Sequence, residues 1–159
     1  MLNVRILCVG KLKEAYWRDA CAEYAKRLKA FCSFSIVELP ESRLPDDPSQ
    51  ALIEKALEEE GEKLLTAAKG SAVIPLCIEG KGMTSPKLAS TLEELASRGI
   101  SSVSFVIGSS FGLAEKVKQA GNLRLSMSPM TFPHQLARVM LCEQIYRAFQ
   151  IQNHGKYHK

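Results

Sequence analysis

Hydrophobic residues recur along this chain in two alternating patterns, short apolar runs and longer stretches with an apolar residue every three or four positions. Short runs of this kind predict strands, and the longer spacing predicts helices. The predicted strands are 3–9, 34–39, 72–78, 102–107 and 122–127. The predicted helices are 13–29, 49–68, 85–97, 113–119 and 133–151. This alternation predicts an α/β fold, with a mostly parallel sheet that carries helices on both faces.

Three local signals sharpen the predicted boundaries. Ser49 is a candidate N-cap for the second helix, because a serine hydroxyl satisfies a free backbone N–H there. Ser85 and Pro86 predict the start of the third helix, with Ser85 as the cap and proline in the first turn. Pro75 lacks a backbone N–H, so we expect it at an edge or an irregular point of its strand.

The last predicted helix is apolar on every side of a 3.6-residue wheel. Its apolar residues are Leu136, Ala137, Val139, Met140, Leu141, Cys142, Ile145, Tyr146, Ala148, Phe149 and Ile151. A helix of this kind is buried on more than one side. Two arrangements satisfy this: the helix lies at the centre of the monomer core, or a second copy of the chain covers its outer side. We expect the second, a homodimer.

The charge of the chain is unevenly distributed. A length of 159 residues is typical of one domain, here 1–159, and the formal net charge is +4. Residues 5–29 hold seven basic and three acidic residues, and residues 115–159 hold seven and two. Residues 38–64 hold three basic and nine acidic residues. The basic ends allow an anionic partner, although charge alone favours ordinary solvated surface. We expect the acidic run Glu58 to Glu60 to be a solvated face.

The five cysteines have no spacing typical of a metal site. None forms a C-x-x-C pair, and each has apolar neighbours. This pattern favours reduced core cysteines in a cytoplasmic protein over a disulfide framework or a zinc site. No apolar run approaches the roughly 20 residues that a membrane helix needs, so we expect neither a metal nor a membrane partner.

Three segments have a composition suited to chemistry. Residues 105–112 form an apolar strand followed by a glycine turn, and residues 125–134 form a loop rich in proline, methionine and hydroxyls. Ligands of open α/β sheets bind beside such turns. The third segment is the end of the chain, 153–159, together with Arg147, which combines an aromatic ring, imidazoles and cations. Each also has a plain structural explanation: turn geometry, a packed connector and a frayed tail. Neither phosphate-binding glycine motif is present, which argues against an α/β nucleotide or dinucleotide enzyme.

Together these segments resemble the ribosomal RNA large subunit methyltransferase H family, SPOUT-class enzymes that methylate N3 of a pseudouridine in 23S rRNA. The resemblance covers the whole chain. It is carried by Gly10-Lys11-Leu12-Lys13, Phe105-Val106-Ile107-Gly108, Ser126-Met127-Ser128-Pro129-Met130-Thr131-Phe132-Pro133-His134, Arg138, Glu143-Gln144-Ile145-Tyr146-Arg147-Ala148 and Tyr157-His158-Lys159. The chain departs from the family pattern at Ser109, Cys77 and the spacer 154–156.

The resemblance implies a homodimer that uses S-adenosyl-L-methionine, needs no metal, and has a C-terminal trefoil knot. The implied cofactor contacts are Leu76, Gly108, Met127, Ser128, Pro129, Met130, Thr131 and Phe132. The implied substrate is 23S rRNA within the ribosome, because a net charge of +4 is small for binding naked RNA. The alternative on the same fold is a non-catalytic module that binds RNA or the ribosome.

The resemblance also suggests roles for individual residues. N3 carries a proton, so a base is needed; His158 is the first candidate and His134 the alternative. Tyr157 would stack on the reacting base or hydrogen-bond to it. Phosphates or imide oxygens would be bound by Arg138 and Arg147, and further RNA contacts would come from Lys11, Lys13, Lys156 and Lys159. Because a short tail has little reach, we expect it to complete the partner's site.

Overall fold

Strands and helices alternate along the whole chain, and the computed structural model describes all 159 residues. The strands are β1 (Asn3–Val9), β2 (Ser33–Leu39), β3 (Ala72–Gly82), β4 (Ser102–Ile107) and β5 (Leu125–Ser126). The helices are α1 (Ala15–Leu28), α2 (Gln50–Ala67), α3 (Ser85–Ser97), α4 (Glu115–Gln119) and α5 (His134–Gln152). The strands form one sheet in the order β2-β1-β4-β3-β5, and every neighbouring pair is parallel. The predicted α/β class is confirmed.

The two faces of the sheet bury two separate apolar clusters. Alternate residues of β1 divide between them: Ile6 packs with α1, α3 and α5, whereas Leu7 packs with α2 and α4. This division follows from the two-residue period of a strand, which sends successive side chains to opposite faces. Helices therefore cover both faces of the sheet, as the pattern predicted.

The region of β3 and β5 differs most from the predicted boundaries. β3 runs four residues further than predicted, and β5 has only two residues. The cause is a change of partner: β3 pairs with β4 up to Pro75, and from Leu76 onward it pairs irregularly with β5. Before Leu76, Asn122 binds β3 where a neighbouring strand would otherwise pair. Its N–H donates to the Val73 carbonyl, and its side-chain oxygen accepts from the Val73 N–H. Pro75 thus lies at an irregular point, as predicted.

The helix caps agree with the sequence in one case and differ in the other. The Ser49 hydroxyl accepts a hydrogen bond from the Leu52 N–H at 3.2 Å, which confirms the predicted cap of α2. The prediction of Ser85 as the cap of α3 is wrong by one residue, because Thr84 accepts from the Lys87 N–H. Ser85 is the first residue of the helix, and its hydroxyl donates to the Gln144 side chain, which ties α3 to α5.

The last helix lies between two others. α5 packs against α1 on one side and α3 on the other, with the sheet beneath it. Its buried apolar residues are Leu141, Cys142, Ile145, Ala148 and Phe149, and none of its other residues is fully exposed. The monomer core therefore explains much of the apolarity of α5. Val139 and Tyr146 are half-buried and pack against the same core, and Met140 is half-buried as well. The homodimer stays a prediction.

The remaining general features concern membranes, cysteines and metals. None of the five helices is both long and apolar enough to cross a membrane. All five cysteines are free, and only Cys77 is not fully buried. No group of three or more His, Cys, Asp or Glu side chains is arranged to hold a metal ion.

Candidate active site

A cavity opens at the edge of the sheet where the parallel strands end. Its volume is about 780 Å³. Three segments supply most of its lining: 76–79, where β3 leaves β4; 107–113, after β4; and 127–135, between β5 and the first turn of α5. Backbone groups at strand ends have no ladder partners, so this edge is where ligands of open α/β sheets bind. The glycine turn and the proline loop predicted from the sequence thus face one another.

The glycine turn folds back tightly on itself. A side chain on Gly108 would place its Cβ 2.1 Å from the Gly112 carbonyl oxygen, so only glycine fits there. Gly112 has a φ of +90° and donates its N–H to the Ser109 carbonyl at 2.9 Å. Ser109, a departure from the family pattern, is buried, and its hydroxyl accepts from the Phe111 N–H. The serine thus stabilises the turn from within.

The loop after β5 is shaped by its own hydroxyls. Ser126 donates its hydroxyl to the Ser128 carbonyl at 3.1 Å, and the Ser128 hydroxyl accepts from the Met130 N–H at 2.9 Å. Two prolines, Pro129 and Pro133, restrict the backbone further. The loop is therefore a preformed wall of the cavity.

Most residues expected to contact a cofactor line this cavity. They are Leu76, Gly108, Met127, Ser128, Met130, Thr131 and Phe132. Pro129 does not line the cavity, because it lies at the exposed outer side of the loop. Sequence reasoning did not name Cys77, Ile78, Glu79, Lys118, Gln135 and Ala137 as contacts. Three of these directly follow Leu76, so extending the strand-end argument by three residues would have found them.

The titratable groups of the cavity are Cys77, Glu79, Lys118 and His134. Lys118 forms an ion pair with Glu79, and the hydrogen bond from Lys118 lowers the pKa of that carboxyl group. Burial, followed by the nearby Glu79 charge, raises the pKa of the Cys77 thiol. Burial, reinforced by the positive charge of Arg138, lowers the pKa of His134 in the first turn of α5. His134 is therefore neutral at pH 7 and able to accept a proton.

Arg138 lies away from the cavity, in the protein interior. Only 1% of its surface is exposed. Its guanidinium donates to the Glu38 carboxylate at 2.7 Å and to the Gly10 carbonyl at 3.2 Å. The Glu38 carboxylate also accepts from the Leu12 N–H. The expectation that Arg138 contacts RNA does not fit this placement, because the side chain is buried and its guanidinium already binds Glu38 and the Gly10 carbonyl.

The end of the chain folds back onto the outer side of α5. The Tyr157 hydroxyl donates to Glu143 at 3.0 Å, and Arg147 donates to the same carboxylate at 2.6 and 3.0 Å. The Arg147 guanidinium also lies 4.7 Å from the centre of the Tyr157 ring and 3.1 Å from Nδ1 of His158. Burial and the Glu143 hydrogen bond raise the pKa of Tyr157 to about 12. These contacts favour an ordered tail over a frayed one.

A sharp turn makes this return possible. His154 has a φ of +56°, and the Gly155 N–H donates to the Gln150 carbonyl at 2.8 Å. A side chain on Gly155 would place its Cβ 1.9 Å from the Gln150 side-chain oxygen. The unusual spacer before Tyr157 therefore serves as a compact turn.

The tail and the cavity are far apart within one chain. Arg147, which contacts His158, follows His134 of the cavity by thirteen residues of α5. At 1.5 Å per residue this separation is about 20 Å. The candidate bases His134 and His158 are therefore not brought together in one protomer.

The four lysines expected to bind RNA are exposed, whereas Arg147 is half-buried. Lys11 and Lys13 lie on the loop after β1, at the same edge of the sheet as the cavity. The Lys13 and Leu12 carbonyls accept from Arg18, which shapes that loop. Lys156 and Lys159 lie in the tail.

Comparison with known proteins gives a consistent assignment. Residues 2–158 match the protein-family model described as "Predicted SPOUT methyltransferase". Proteins named ribosomal RNA large subunit methyltransferase H from Bifidobacterium animalis and Bacillus pumilus are 46% and 47% identical to this chain. Each alignment covers 99% of this chain and 100% of the relative.

Solved structures share the fold at low sequence identity. A probable methylase family protein from Haemophilus influenzae superimposes with a TM-score of 0.57 at 16% identity, covering 99% of this chain and 71% of that one. A probable methyltransferase from Bordetella pertussis gives 0.57 at 17% identity, covering 93% and 96%. With the family match over nearly the whole length, these findings show that the chain belongs to the SPOUT methyltransferase family, within the ribosomal RNA large subunit methyltransferase H group.

Proposed function

We propose that this chain methylates N3 of a pseudouridine in 23S rRNA, with S-adenosyl-L-methionine as methyl donor and the assembled ribosome as substrate. The names of its relatives support a large-subunit rRNA methyltransferase. The observation that carries the proposal is the cavity at the strand ends, where the glycine turn and the proline loop face each other.

The lining of the cavity fits this cofactor. Its volume of about 780 Å³ is within the usual range of roughly 300–1,000 Å³ for ligand pockets. Leu76, Met127 and Phe132 offer apolar walls for the adenine ring, and Gly108 allows backbone groups to approach the ligand closely. The bound sulfonium supplies an electrophilic methyl group, so no metal is required.

The protein must orient the reacting atoms and remove one proton. The N3–H bond breaks and its proton passes to a base, the N3 electron pair forms the new bond to the methyl carbon, and the carbon–sulfur bond breaks to leave a neutral thioether. Alignment of the methyl carbon with N3 and exclusion of water would supply most of the rate enhancement. The base is His158 in our proposal, with His134 at the cavity wall as the alternative.

The contact between Arg147 and His158 determines which ring nitrogen of a neutral His158 carries the proton. A guanidinium has only donors, so Nδ1 of His158 accepts from Arg147 and the neutral ring carries its proton on Nε2. In this arrangement His158 presents a donor to its surroundings. It becomes a base when the contact with Arg147 opens, as engagement with a substrate would require.

The 20 Å between tail and cavity favours a site shared by two chains. In the proposed homodimer the tail of one chain, with Tyr157 and His158, completes the cavity of the other. Lys156, Lys159 and Arg147 would then approach the RNA beside the Lys11 and Lys13 loop. The single domain 1–159, the trefoil knot and the homodimer remain predictions.

Two measurements test the proposal. Calorimetry with S-adenosyl-L-methionine is expected to show binding, and methyl transfer from labelled cofactor is expected on ribosomes that lack the modification, mapped to N3 of one pseudouridine. Absence of cofactor binding would overturn the proposal. Methylation of another atom would overturn the assigned position, and faster methylation of free 23S rRNA would overturn the ribosomal substrate. Ribosome binding without methyl transfer would favour the non-catalytic alternative.

A further inference from the structure

A second, smaller cavity lies directly beside the first. Its volume is about 330 Å³, and it is lined by Glu41, Ser42, Arg43, Leu44, Pro45 and Phe111. Phe111 belongs to the lining of both cavities. The aromatic ring at the tip of the glycine turn therefore separates the candidate cofactor cavity from a neighbouring space at the same edge of the sheet.

A buried carboxylate fixes one wall of this second cavity. Glu60 of α2 is only 4% exposed, which contradicts the expected solvated face at this position. Its carboxylate accepts from the Ser42 N–H at 3.0 Å. Burial raises the pKa of Glu60, whereas the hydrogen bond from the Ser42 N–H and the nearby Ser109 hydroxyl lower it, and the Oε1 atom of Glu60 has no hydrogen-bond partner. Glu60 thus holds the loop after β2 in place through Ser42, and Ser109 of the glycine turn lies near the same carboxyl group.

The lining combines three kinds of group that suit a nucleotide. The Phe111 side chain is 45% exposed, although it is large and apolar. The exposed Arg43 side chain forms no hydrogen bond or ion pair. Glu41 adds a carboxylate that accepts hydrogen bonds. Aromatic rings stack on unpaired bases, guanidinium groups bind phosphates, and carboxylates accept from base amino groups.

We propose that the second cavity binds an unpaired nucleotide next to the target pseudouridine, with its base stacked on Phe111 and its phosphate bound by Arg43. This inference rests on the proposed function and deepens it, because it names how the RNA is recognised. Because Phe111 also lines the cofactor cavity, a base stacked on it would lie beside the nucleotide that receives the methyl group. Glu41 favours a base with an exocyclic amino group, which uracil lacks.

The test compares Arg43→Gln with a matched control, Arg98→Gln. Arg98 is also an exposed arginine without an ion pair, but it ends α3 near the opposite edge of the sheet. Methylation of ribosomes is measured over a series of salt concentrations. For Arg43→Gln we expect KM for ribosomes to rise about tenfold and the slope of log affinity against log salt to fall by about one, because one phosphate contact is lost. Arg98→Gln is expected to match the wild type.

Variants of Phe111 test the stacking contact. Phe111→Leu keeps an apolar wall but removes the ring, so we expect KM for ribosomes to rise about tenfold. Phe111→Tyr keeps the ring and is expected to restore KM to within about twofold of the wild type. Restoration by the conservative variant separates stacking from a general loss of folding.

The outcomes distinguish this inference from the proposed function. If the wild type binds no S-adenosyl-L-methionine or methylates no rRNA, the proposed function fails. If the wild type is active but Arg43→Gln behaves as Arg98→Gln does, the nucleotide site is overturned. If Phe111→Leu weakens cofactor binding and leaves KM for ribosomes unchanged, Phe111 serves only the first cavity and the inference is again overturned.

Discussion

Arg138 and Glu38, one hundred residues apart in the sequence, form a 2.7 Å ion pair that joins α5 to the end of β2. Arg138 also binds the Gly10 carbonyl, and Glu38 binds the Leu12 N–H. The pair thus anchors the loop that carries Lys11 to the helix that begins at the cavity wall. We assign Arg138 a positioning role.

Removing one partner of this pair is expected to destabilise the protein. Glu38→Gln leaves the buried Arg138 guanidinium without a counter-charge. Because the Glu38 side chain is 36% exposed and water screens the pair from that side, the free energy of unfolding should fall by about 2 kcal/mol, less than for a fully buried pair. Urea unfolding followed by circular dichroism measures the change. The double variant Arg138→Met/Glu38→Leu is expected to lose less than the sum of its single variants. A loss below about 0.5 kcal/mol for Glu38→Gln, which is typical of exposed pairs, would show that the burial of Arg138 does not strengthen this pair.

Gly108→Ala is expected to weaken cofactor binding at least tenfold. The added Cβ would lie 2.1 Å from the Gly112 carbonyl oxygen, so the turn must open and the cavity wall must move. Gly82→Ala is the matched control, because a Cβ on Gly82 meets no atom within 4 Å. Calorimetry measures the affinity for S-adenosyl-L-methionine. Equal affinities of the two variants would show that the glycine turn does not shape the binding site.

Cys77 is expected to be the cysteine that reacts with a thiol reagent in the native protein. The other four are buried, and burial raises the pKa of Cys8 to about 12 and of Cys32 to about 11. An aromatic disulfide reagent at pH 8 should modify one thiol before unfolding and all five in urea. The first reaction should disappear in Cys77→Ser and slow when S-adenosyl-L-methionine is present. Unchanged labelling with saturating cofactor would show that the ligand does not cover Cys77.

The buried Glu60 predicts a pH dependence of stability. Because burial raises its pKa in the folded protein, the folded state holds the proton more tightly than the unfolded chain does. Its contribution to stability is therefore complete below the unfolded pKa, near 4.3, and is lost as pH rises through the folded pKa. The variant Glu60→Gln has no such proton, so its stability relative to the wild type should increase between pH 4 and pH 7.

Urea unfolding at several pH values measures this difference. Glu59→Gln removes one negative charge from the same helix at an exposed position and serves as the control. A constant difference between Glu60→Gln and the wild type over this range would contradict a raised pKa.

A shared active site predicts complementation between two inactive chains. One chain lacks residues 153–159, and the other carries Gly108→Ala. In a mixed dimer the intact tail of the second chain would reach the intact cavity of the first. Methyl transfer by mixed dimers, purified through two different tags, should lie well above that of either parent. No recovery of activity in verified mixed dimers would contradict the shared site.

Local patterns in the sequence predicted the order of strands and helices well, because each depends on neighbouring residues. The Ser49 cap and the strands up to β4 are examples. β5 shows the limit. Its apolar pattern suggests six residues, yet the strand has only two, and its parallel pairing with β3 shifts register between Leu76 and Lys81. Pairing over a distance is not visible in a local pattern.

The candidate site also has parts that local patterns predicted and parts that they did not. The glycine turn and the proline loop were predicted as strand-end segments, and the sheet brings them together. Arg138 and Glu60 were misjudged because charged residues are usually exposed, and only the fold reveals that each has its partners in the interior. Their ion pair and hydrogen bonds join segments that are far apart in sequence, which no spacing rule detects.

α5 carries the cavity wall in its first turn, the Arg138 anchor next, and the Glu143 and Arg147 contacts of the tail further on. A helix fixes both distance and direction, since each added residue advances the chain by 1.5 Å and rotates it by about 100°. One inserted residue between Arg138 and Glu143 would turn the tail contacts toward α1 or α3 while leaving the cavity intact. The middle of α5 therefore sets both the distance and the relative direction of the cavity wall and the tail contacts. Substitutions in this stretch leave that geometry in place, whereas insertions or deletions change it.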